Sequence, residues 1–250
     1  MSKIKTPSFE LAVYQRGDVY AKKLAIVLPG LLDPKSYPHM QAHVDFLADH
    51  GFLALSFDPP GTWESSGSIS DYTMTNYLYA VDEIITYFGD KPTLTLGHSL
   101  GGTIAMHAAI QNAHIQAFVA IMSPPTLTAA RAVNKKKVSQ WEAEGVRVSY
   151  RAIHQGQPEE KRFDLPYSFL EDARKYDALE DLGKLTKPKL FISGDEDASV
   201  QPELVEEEFS VSADPKDMYV MHSDHDYRHR EKLIDEANQR VALFIEKYDL

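Results

Sequence analysis

The chain has 250 residues, and 43% of them are hydrophobic, which is enough to bury the core of one α/β domain. Its 26 Lys and Arg residues against 37 Asp and Glu give a net charge of −11, which disfavours nucleic acid and other polyanions, because proteins that bind phosphates present a positive face. The absence of cysteine excludes disulfides and a thiol nucleophile. The first residues lack the apolar core of a signal peptide, and no apolar run approaches the roughly 18 residues that span a bilayer, so we expect a cytoplasmic protein without stable membrane insertion.

Short apolar strands alternate with helical stretches along the chain. The predicted strands cover residues 9–14, 24–28, 52–57, 93–96, 117–122, 189–192 and 218–220. The predicted helices cover residues 37–49, 72–88, 100–112, 202–209 and 230–248. This order predicts an α/β fold with a mostly parallel central sheet flanked by helices, in a single domain spanning 1–250.

The interval between the strands at 117–122 and 189–192 departs from this alternation. It is rich in charged and aromatic residues and is bounded by prolines. We expect an inserted cap over about 124–186, at the carboxyl end of the sheet, where it would shape a pocket. Four aromatic residues are candidates to line that pocket, although aromatic residues at irregular spacing more often hold a cap onto its domain. They are Trp141, Tyr150, Tyr167 and Phe169.

A glycine-rich turn joins the predicted strand at 93–96 to the helix that follows it. Its sequence at 97–101 is Gly-His-Ser-Leu-Gly, which is typical of a nucleophile elbow. The residue at the tip of such a turn has a strained backbone, and side chains two positions to either side would collide, so glycines leave the space. Ser99 is therefore the candidate nucleophile. The alternative is an ordinary serine in a glycine-rich turn, and the surroundings of Ser99 must decide.

A serine nucleophile needs a histidine base and a carboxylate that orients the histidine. In this strand, turn and helix architecture the acid follows the serine along the chain, and the histidine comes last. The strand at 189–192 leads into a loop with two aspartates, at the end of a strand where open α/β sheets place their sites. We select Asp197 as the acid, and Asp195 stays the competitor because either side chain can reach a histidine. His225, in the loop after the last strand, is the candidate base.

Two histidines with aspartates between them also resemble metal ligands. His222 and His225 are of the type that binds zinc, but a zinc site needs a third strong ligand, and the chain has no cysteine and no His-Glu-x-x-His helix to supply one. We therefore predict no metal and no other cofactor. His222 is interpreted as capping the strand end or facing solvent. His98 is expected to pack beside the turn, and the other histidines, which have no partner pattern, are interpreted as mostly surface or helix residues.

Acyl transfer also needs donors for the oxyanion that forms on the substrate. The backbone N–H after the nucleophile, from Leu100, supplies the first. The apolar strand at 24–28 is followed by Pro-Gly-Leu-Leu, with a glycine where backbone must approach a substrate. Leu31 is the expected second donor, and a plain strand-ending turn is the alternative interpretation of this loop.

These residues resemble the α/β-hydrolase superfamily, and within it the small capped serine esterases that include cinnamoyl or feruloyl esterases and monoacylglycerol-lipase-like enzymes. The likeness spans nearly the whole chain. Residues 58–67 resemble the family's Asp-x-x-Gly-x-Gly-x-Ser turn, with Trp63 in place of a glycine and Pro60 in place of a usual arginine. Pro29 stands where the family has histidine, so hydrogen bonds that brace these loops must be absent or replaced. The loop at 194–200 matches a family motif that favours Asp197, and Asp224 with His225 matches its Asp-His motif.

The resemblance implies a serine carboxylesterase that hydrolyses small to medium apolar or aromatic esters through an acyl-enzyme on Ser99. The expected partner is a small-molecule ester, with no nucleic acid, and a homodimer is left open. A serine peptidase or amidase with the same triad is the nearest alternative. A non-enzymatic ligand receptor on the same fold is a further one.

Overall fold

The computed structural model describes residues 2–127, 135–153 and 158–250. Its strands are β1 (Ser2–Lys5), β2 (Glu10–Arg16), β3 (Leu24–Leu28), β4 (Leu53–Phe57), β5 (Thr93–His98), β6 (Ile115–Ile121), β7 (Val146–Ala152), β8 (Glu160–Pro166), β9 (Lys189–Gly194) and β10 (Lys216–Met221). Within the described residues, eight strands form one sheet in the order β1-β2-β4-β3-β5-β6-β9-β10. From β4 to β10 the neighbours are parallel, whereas β2 is antiparallel to both β1 and β4. The predicted mostly parallel sheet is confirmed.

Helices cover both faces of this sheet. They are α1 (Pro38–Asp49), α2 (Met74–Tyr87), α3 (Leu100–Gln111), α4 (Lys135–Glu144), α5 (Ser168–Ala173), α6 (Leu179–Leu182), α7 (Pro202–Val211) and α8 (Glu231–Tyr248). At the start of α2 the Thr73 hydroxyl accepts a hydrogen bond of 3.0 Å from the Asn76 N–H, which satisfies one of the free donors of the first turn. Among the helices that the structure describes, none is long and apolar enough to cross a membrane.

The core lies in two layers, one on each face of the sheet. The strands β3, β4 and β5 are buried at every position, as expected for continuous apolar strands in a parallel sheet covered on both sides. On one face α2 and α3 contribute Ile84 and Ile104 to a shared apolar cluster. On the other face α1 and α8 contribute Val44 and Val241. The sheet is thus held rigidly between helices.

The sheet order determines where the polar loops meet. The strands β3, β5, β6, β9 and β10 are consecutive neighbours and run in parallel, so their carboxyl ends lie along one edge. The loops after β3, β5, β9 and β10 carry the residues singled out from the sequence. This edge is where open α/β sheets bind ligands.

The chain between β6 and β9 contains a hairpin that the sequence analysis did not predict. β7 and β8 pair antiparallel, from Val146 opposite Pro166 to Ala152 opposite Glu160. Every second residue of β7 is exposed, which is the alternation expected of a strand. The charged residues between the exposed ones obscured this alternation in the sequence. The division of the chain into one domain with a cap at 124–186 stays a prediction, and residues 128–134 and 154–157 of that interval lie outside the described residues.

Candidate active site

Ser99 occupies the turn between β5 and α3. Its backbone has φ 54° and ψ −123°, which is strained for a residue with a side chain. A Cβ on Gly97 would overlap the backbone of Gly101, and a Cβ on Gly101 would overlap the Leu28 carbonyl group. Only glycine at these two positions allows β3, β5 and α3 to approach so closely. The turn thus has the geometry of the predicted nucleophile elbow.

Gly97→Ala should lower the free energy of unfolding by about 3 kcal/mol, because the added methyl group overlaps backbone that cannot move without opening the elbow. Gly183→Ala is the matched control, since its φ is −66° and an added Cβ would lie 3.2 Å from its nearest neighbour. Its effect should stay below about 1 kcal/mol. Urea unfolding of both variants measures the difference. Equal effects would contradict a tightly packed elbow.

Two neighbouring loops bring an acid and a base to Ser99. The Nε2 atom of His225, after β10, lies 3.0 Å from the Ser99 hydroxyl oxygen. The Nδ1 atom of the same ring lies 2.7 Å from an oxygen of Asp197, after β9. The side chain of Asp197 is fully buried, whereas that of His225 is 22% exposed. The ring can therefore reach a substrate while its orienting carboxylate is shielded from water.

The carboxylate of Asp197 is fixed by its own loop. One of its oxygens accepts hydrogen bonds from the backbone N–H groups of Ser199 and Val200, at 2.7 and 2.8 Å. The other oxygen faces His225. Because each oxygen has its own partners, the carboxylate has a single orientation. It therefore holds the N–H group at Nδ1 of His225 in place.

Asp195, the competing acid, points elsewhere. Its oxygens lie 3.0 and 3.2 Å from Nδ1 of His222, and one of them accepts a hydrogen bond from the Ser223 N–H. Hydrogen bonding to Asp195 raises the pKa of His222, whose side chain is 81% exposed. The structure brings Asp197, and not Asp195, to His225. The two histidines considered as zinc ligands therefore bond to separate aspartates.

The two predicted oxyanion donors, Leu31 and Leu100, line the same cavity as the serine and the histidine. Side chains from other elements hold the loop that contains Leu31. The Tyr77 hydroxyl donates to the Pro29 carbonyl at 3.1 Å. Arg151 donates two hydrogen bonds to the Leu31 carbonyl, at 3.0 and 3.2 Å. These contacts supply bracing where the resembled family has a histidine.

Trp63, at a glycine position of the resembled family, links two of these loops. Its φ is 45°, a value that favours glycine, which explains the family pattern. The indole N–H donates to the Leu32 carbonyl at 2.9 Å, and Lys161 donates to the Trp63 carbonyl at 3.0 Å. Through its side chain and its backbone carbonyl, Trp63 thus connects the loop after β4 with the loop after β3 and with strand β8.

A cavity of about 790 Å³ lies over Ser99 and His225, and α4 and β7 form part of its wall. Of the four aromatic residues predicted to line a pocket, Trp141 does so. Tyr150 is 52% exposed. Tyr167 and Phe169 are buried, and Phe169 stacks on Tyr72, which lies just before α2, with 5.1 Å between ring centres. These two rings hold the inserted segment onto the rest of the protein, which was the alternative role.

Three histidines that were assigned no partners from the sequence are buried beside the turn. The ring of His98 packs 4.8 Å from that of His225, and the ring of His39 meets His98 edge-on. His43 lies 2.7 Å from the Asn238 side-chain oxygen and 2.8 Å from the Tyr227 hydroxyl. Burial lowers the pKa of His43 to about 4 and those of His39 and His98 well below their usual value, so all three are neutral at pH 7. His39 and His43 lie on the apolar face of α1, and this position could have indicated from the sequence that they are buried.

One cluster of possible metal ligands occurs among the residues that the structure describes. Asp33, His39 and His98 place ligand atoms within 4.8 Å of one another. The Asp33 carboxylate already pairs with Arg228 at 2.6 Å and with Arg151 at 3.3 Å. These two positive charges would repel a cation, so the cluster fits an ion-pair network better than a metal site.

Comparison with known proteins places this architecture in a family. Residues 26–149 match the family described as the α/β hydrolase fold. The palmitoyl-protein thioesterase ABHD10 of rat mitochondria is 24% identical over 235 residues, which is 90% of this chain and 76% of the rat protein. This chain belongs to the α/β-hydrolase superfamily. The mouse counterpart is 26% identical over 182 residues, but the match spans only 59% of that protein.

Solved structures share the fold over almost the whole chain. The mouse α/beta hydrolase domain-containing protein 10 has a TM-score of 0.78, with 21% identity and coverage of 99% of this chain and 98% of the other. Est1E from Butyrivibrio proteoclasticus, with ferulic acid bound, has a TM-score of 0.73, 20% identity and coverage of 97% and 98%. The Pyrococcus furiosus esterase Pf2001 has a TM-score of 0.70, with 21% identity and coverage of 98% and 91%. The expected superfamily is confirmed, and the family match together with the rat thioesterase indicates a hydrolase.

Proposed function

We propose that the protein is a serine hydrolase that cleaves carboxylic esters or thioesters through an acyl-enzyme on Ser99. The observation that carries this proposal is the hydrogen-bonded chain from Asp197 through His225 to Ser99, which ends at the wall of a cavity. A serine hydroxyl is a weak nucleophile unless a base lies within hydrogen-bonding reach and a third group orients that base. Each of the three roles has a side chain in place.

In the acylation step the Ser99 oxygen attacks the carbonyl carbon of the substrate, and Nε2 of His225 accepts the hydroxyl proton. The bond between the carbonyl carbon and the leaving oxygen or sulfur then breaks. His225 returns the proton to that leaving group, which departs as an alcohol or thiol. Asp197 stabilises the transient imidazolium through the hydrogen bond at Nδ1.

Water completes the reaction by the same chemistry. His225 removes a proton from water, the hydroxyl adds to the acyl carbon, and the proton passes to the Ser99 oxygen as the acid departs. The backbone N–H groups of Leu31 and Leu100 are the proposed donors to the oxyanion in both steps. Removing one such donor typically costs on the order of 100-fold in rate or more, so the rigid bracing of the Leu31 loop supports this role.

The size of the cavity and the relatives guide the choice of substrates. Cavities of roughly 300 to 1,000 Å³ accept small organic ligands, and the volume here falls in that range. Apolar side chains of Leu127, Val138 and Trp141 contribute to the wall. The relatives named as a thioesterase and as an esterase support both oxygen and sulfur leaving groups.

A substrate panel tests the proposed class. The purified protein is offered p-nitrophenyl acetate, butyrate and octanoate, S-butyryl-N-acetylcysteamine and butyryl-p-nitroanilide, and a p-nitrophenyl phosphonate probes covalent labelling. We expect cleavage of the esters and the thioester, with the phosphonate attached to Ser99 by peptide mass mapping. Faster cleavage of the anilide would identify an amidase or peptidase. Failure to cleave any substrate, together with no labelling of Ser99, would favour a receptor.

A further inference from the structure

Positive charge gathers on the wall of the catalytic cavity, although the chain as a whole is acidic. The net charge is −11. The charged residues of the cavity wall, besides the catalytic histidine, are Lys137, Arg147, Arg151 and Arg228 against Asp33 and Glu144. A cavity with a positively charged wall in a negatively charged protein concentrates anions, because charges that line a cavity act on a ligand through little intervening water.

Two of these cations are already neutralised within the protein. Asp33 pairs with both Arg228 and Arg151. Arg228 has a second carboxylate at 2.5 Å, that of Asp226, and Arg151 also donates to the Leu31 carbonyl. Their charges are engaged in holding the loops of the active site.

Arg147 differs from them. Within the part of the chain that the structure describes, no ion pair joins it to an Asp or Glu, and its buried Nη1 atom has no hydrogen-bond partner. The segments 128–134 and 154–157 contain no acidic residue, so they hold no carboxylate for it either. Its guanidinium lies 5.7 Å from the centre of the Trp141 ring, a contact that positions the group and leaves Nη1 unpaired.

Strand β7 places the Arg147 side chain on the cavity wall. Arg147 and Arg151 lie on one face of the strand, Val146 and Val148 lie on the other, and all four line the cavity. Burial, and secondarily the charge of Arg151, lower the pKa of Arg147, but a guanidinium remains protonated at neutral pH. A charged donor is therefore kept in the cavity wall with one buried N–H group that no described residue satisfies.

We propose that Arg147 binds an anionic group of the substrate, so that the preferred esters or thioesters carry a carboxylate or phosphate in the acyl part or the leaving group. A guanidinium presents a planar set of donors that matches either anion. This inference rests on the proposed function and narrows it, since the sequence led us to expect apolar or aromatic esters without a charge requirement.

Three matched substrate pairs locate the anion. The first compares mono-p-nitrophenyl glutarate with p-nitrophenyl hexanoate, which places a carboxylate in the acyl part. The second compares 4-carboxyphenyl butyrate with 4-methylphenyl butyrate, which places it in the leaving group. The third compares butyryl-coenzyme A with S-butyryl-N-acetylcysteamine, which tests phosphate. For each pair the ratio of kcat/KM values, anionic over neutral, is measured in the parent protein and in variants.

Arg147→Gln should lower this ratio by about 10-fold or more in at least one pair, because a hydrogen bond between charged groups is lost. Arg147→Lys, which keeps the charge but not the planar donors, should fall between the parent and Arg147→Gln. Arg162→Gln is the matched control: it lies on β8, pairs with Asp164, is 57% exposed and is not part of the cavity wall. The control should leave every ratio unchanged. Unchanged ratios in folded Arg147→Gln, or an equal fall in Arg162→Gln, would overturn the inference.

One further measurement does not depend on turnover, and a second does not depend on the folding of an Arg147 variant. In a Ser99→Ala background, calorimetric binding of the anionic substrate whose ratio falls most should weaken by a similar factor when Arg147 is also replaced. The free anion that corresponds to that substrate (glutarate, 4-hydroxybenzoate or coenzyme A) should inhibit the parent protein competitively, whereas its uncharged counterpart (glutaramide, 4-methylphenol or N-acetylcysteamine) should not. Equal inhibition by the two compounds would contradict an anion site. Ester hydrolysis that survives Ser99→Ala would overturn the proposed function instead, while the binding experiment still tests Arg147.

Discussion

Replacing Ser99 by alanine is expected to lower kcat/KM for a p-nitrophenyl ester by about 10⁵-fold, because the variant has no atom that can form the acyl-enzyme. The residual rate would come from backbone donors and substrate positioning alone. The fold should persist, since the substitution removes only the hydroxyl group and keeps the Cβ in the same strained turn. Initial rates and circular dichroism spectra of the parent and the variant measure the two expectations separately.

Ser210→Ala is a suitable control for this experiment. Ser210 is exposed on α7, where its hydroxyl donates to the Glu207 carbonyl, and it is not part of the cavity wall. The variant should keep full activity. If Ser99→Ala also kept full activity while folded, the serine would have no part in the reaction and the hydrogen-bonded chain to His225 would need another explanation.

The elbow could be predicted from sequence because its pattern is local. The strand, the two glycines and the start of α3 lie within one short stretch, although the space at Gly101 is limited by Leu28 of the distant strand β3. The proximity of Asp197 and His225 to Ser99 was predictable for a different reason. In a parallel sheet the carboxyl ends of neighbouring strands share an edge, so candidates at the ends of β9 and β10 had to lie near the end of β5.

The bracing of the loops could not be predicted, because its partners are far apart in sequence. Arg151 and Leu31 are separated by 120 residues, and Lys161 and Trp63 by 98. Their contacts depend on how the inserted segment sits against the sheet, which no periodic pattern encodes. The cationic cavity wall was missed for the same reason: Arg147 stands out only once its neighbours are known to lack a carboxylate for it.

The aromatic residues of the inserted segment show the limit of composition as a guide. Tyr167 and Phe169 have the size and polarity of pocket residues, and the sequence left open whether they line a pocket or hold the segment in place. Trp141 stacks against Phe169 with 6.4 Å between ring centres, and it also lines the cavity. The Trp141 ring therefore both lines the cavity and helps to hold the segment in place. Only its position in the fold distinguishes it from Tyr167 and Phe169.

Asp197→Asn should lower kcat by about 10⁴-fold, whereas Asp195→Asn should change it by less than about 3-fold. In the first variant the amide oxygen would still accept the N–H groups of Ser199 and Val200, which leaves the amide NH₂ facing Nδ1 of His225. That donor stabilises the tautomer with the proton on Nε2. A ring in this state cannot accept the proton of the serine.

Asp195 is the matched control because the same substitution in the same loop disturbs a different pair. Its partner His222 is largely exposed, and ion pairs in water contribute little to either stability or orientation. Comparing kcat and urea unfolding for the two variants separates loss of chemistry from loss of folding. The reverse ranking would mean that the loop rearranges so that Asp195 reaches His225. The buried position of the Asp197 carboxylate and its two backbone donors would then be structural only.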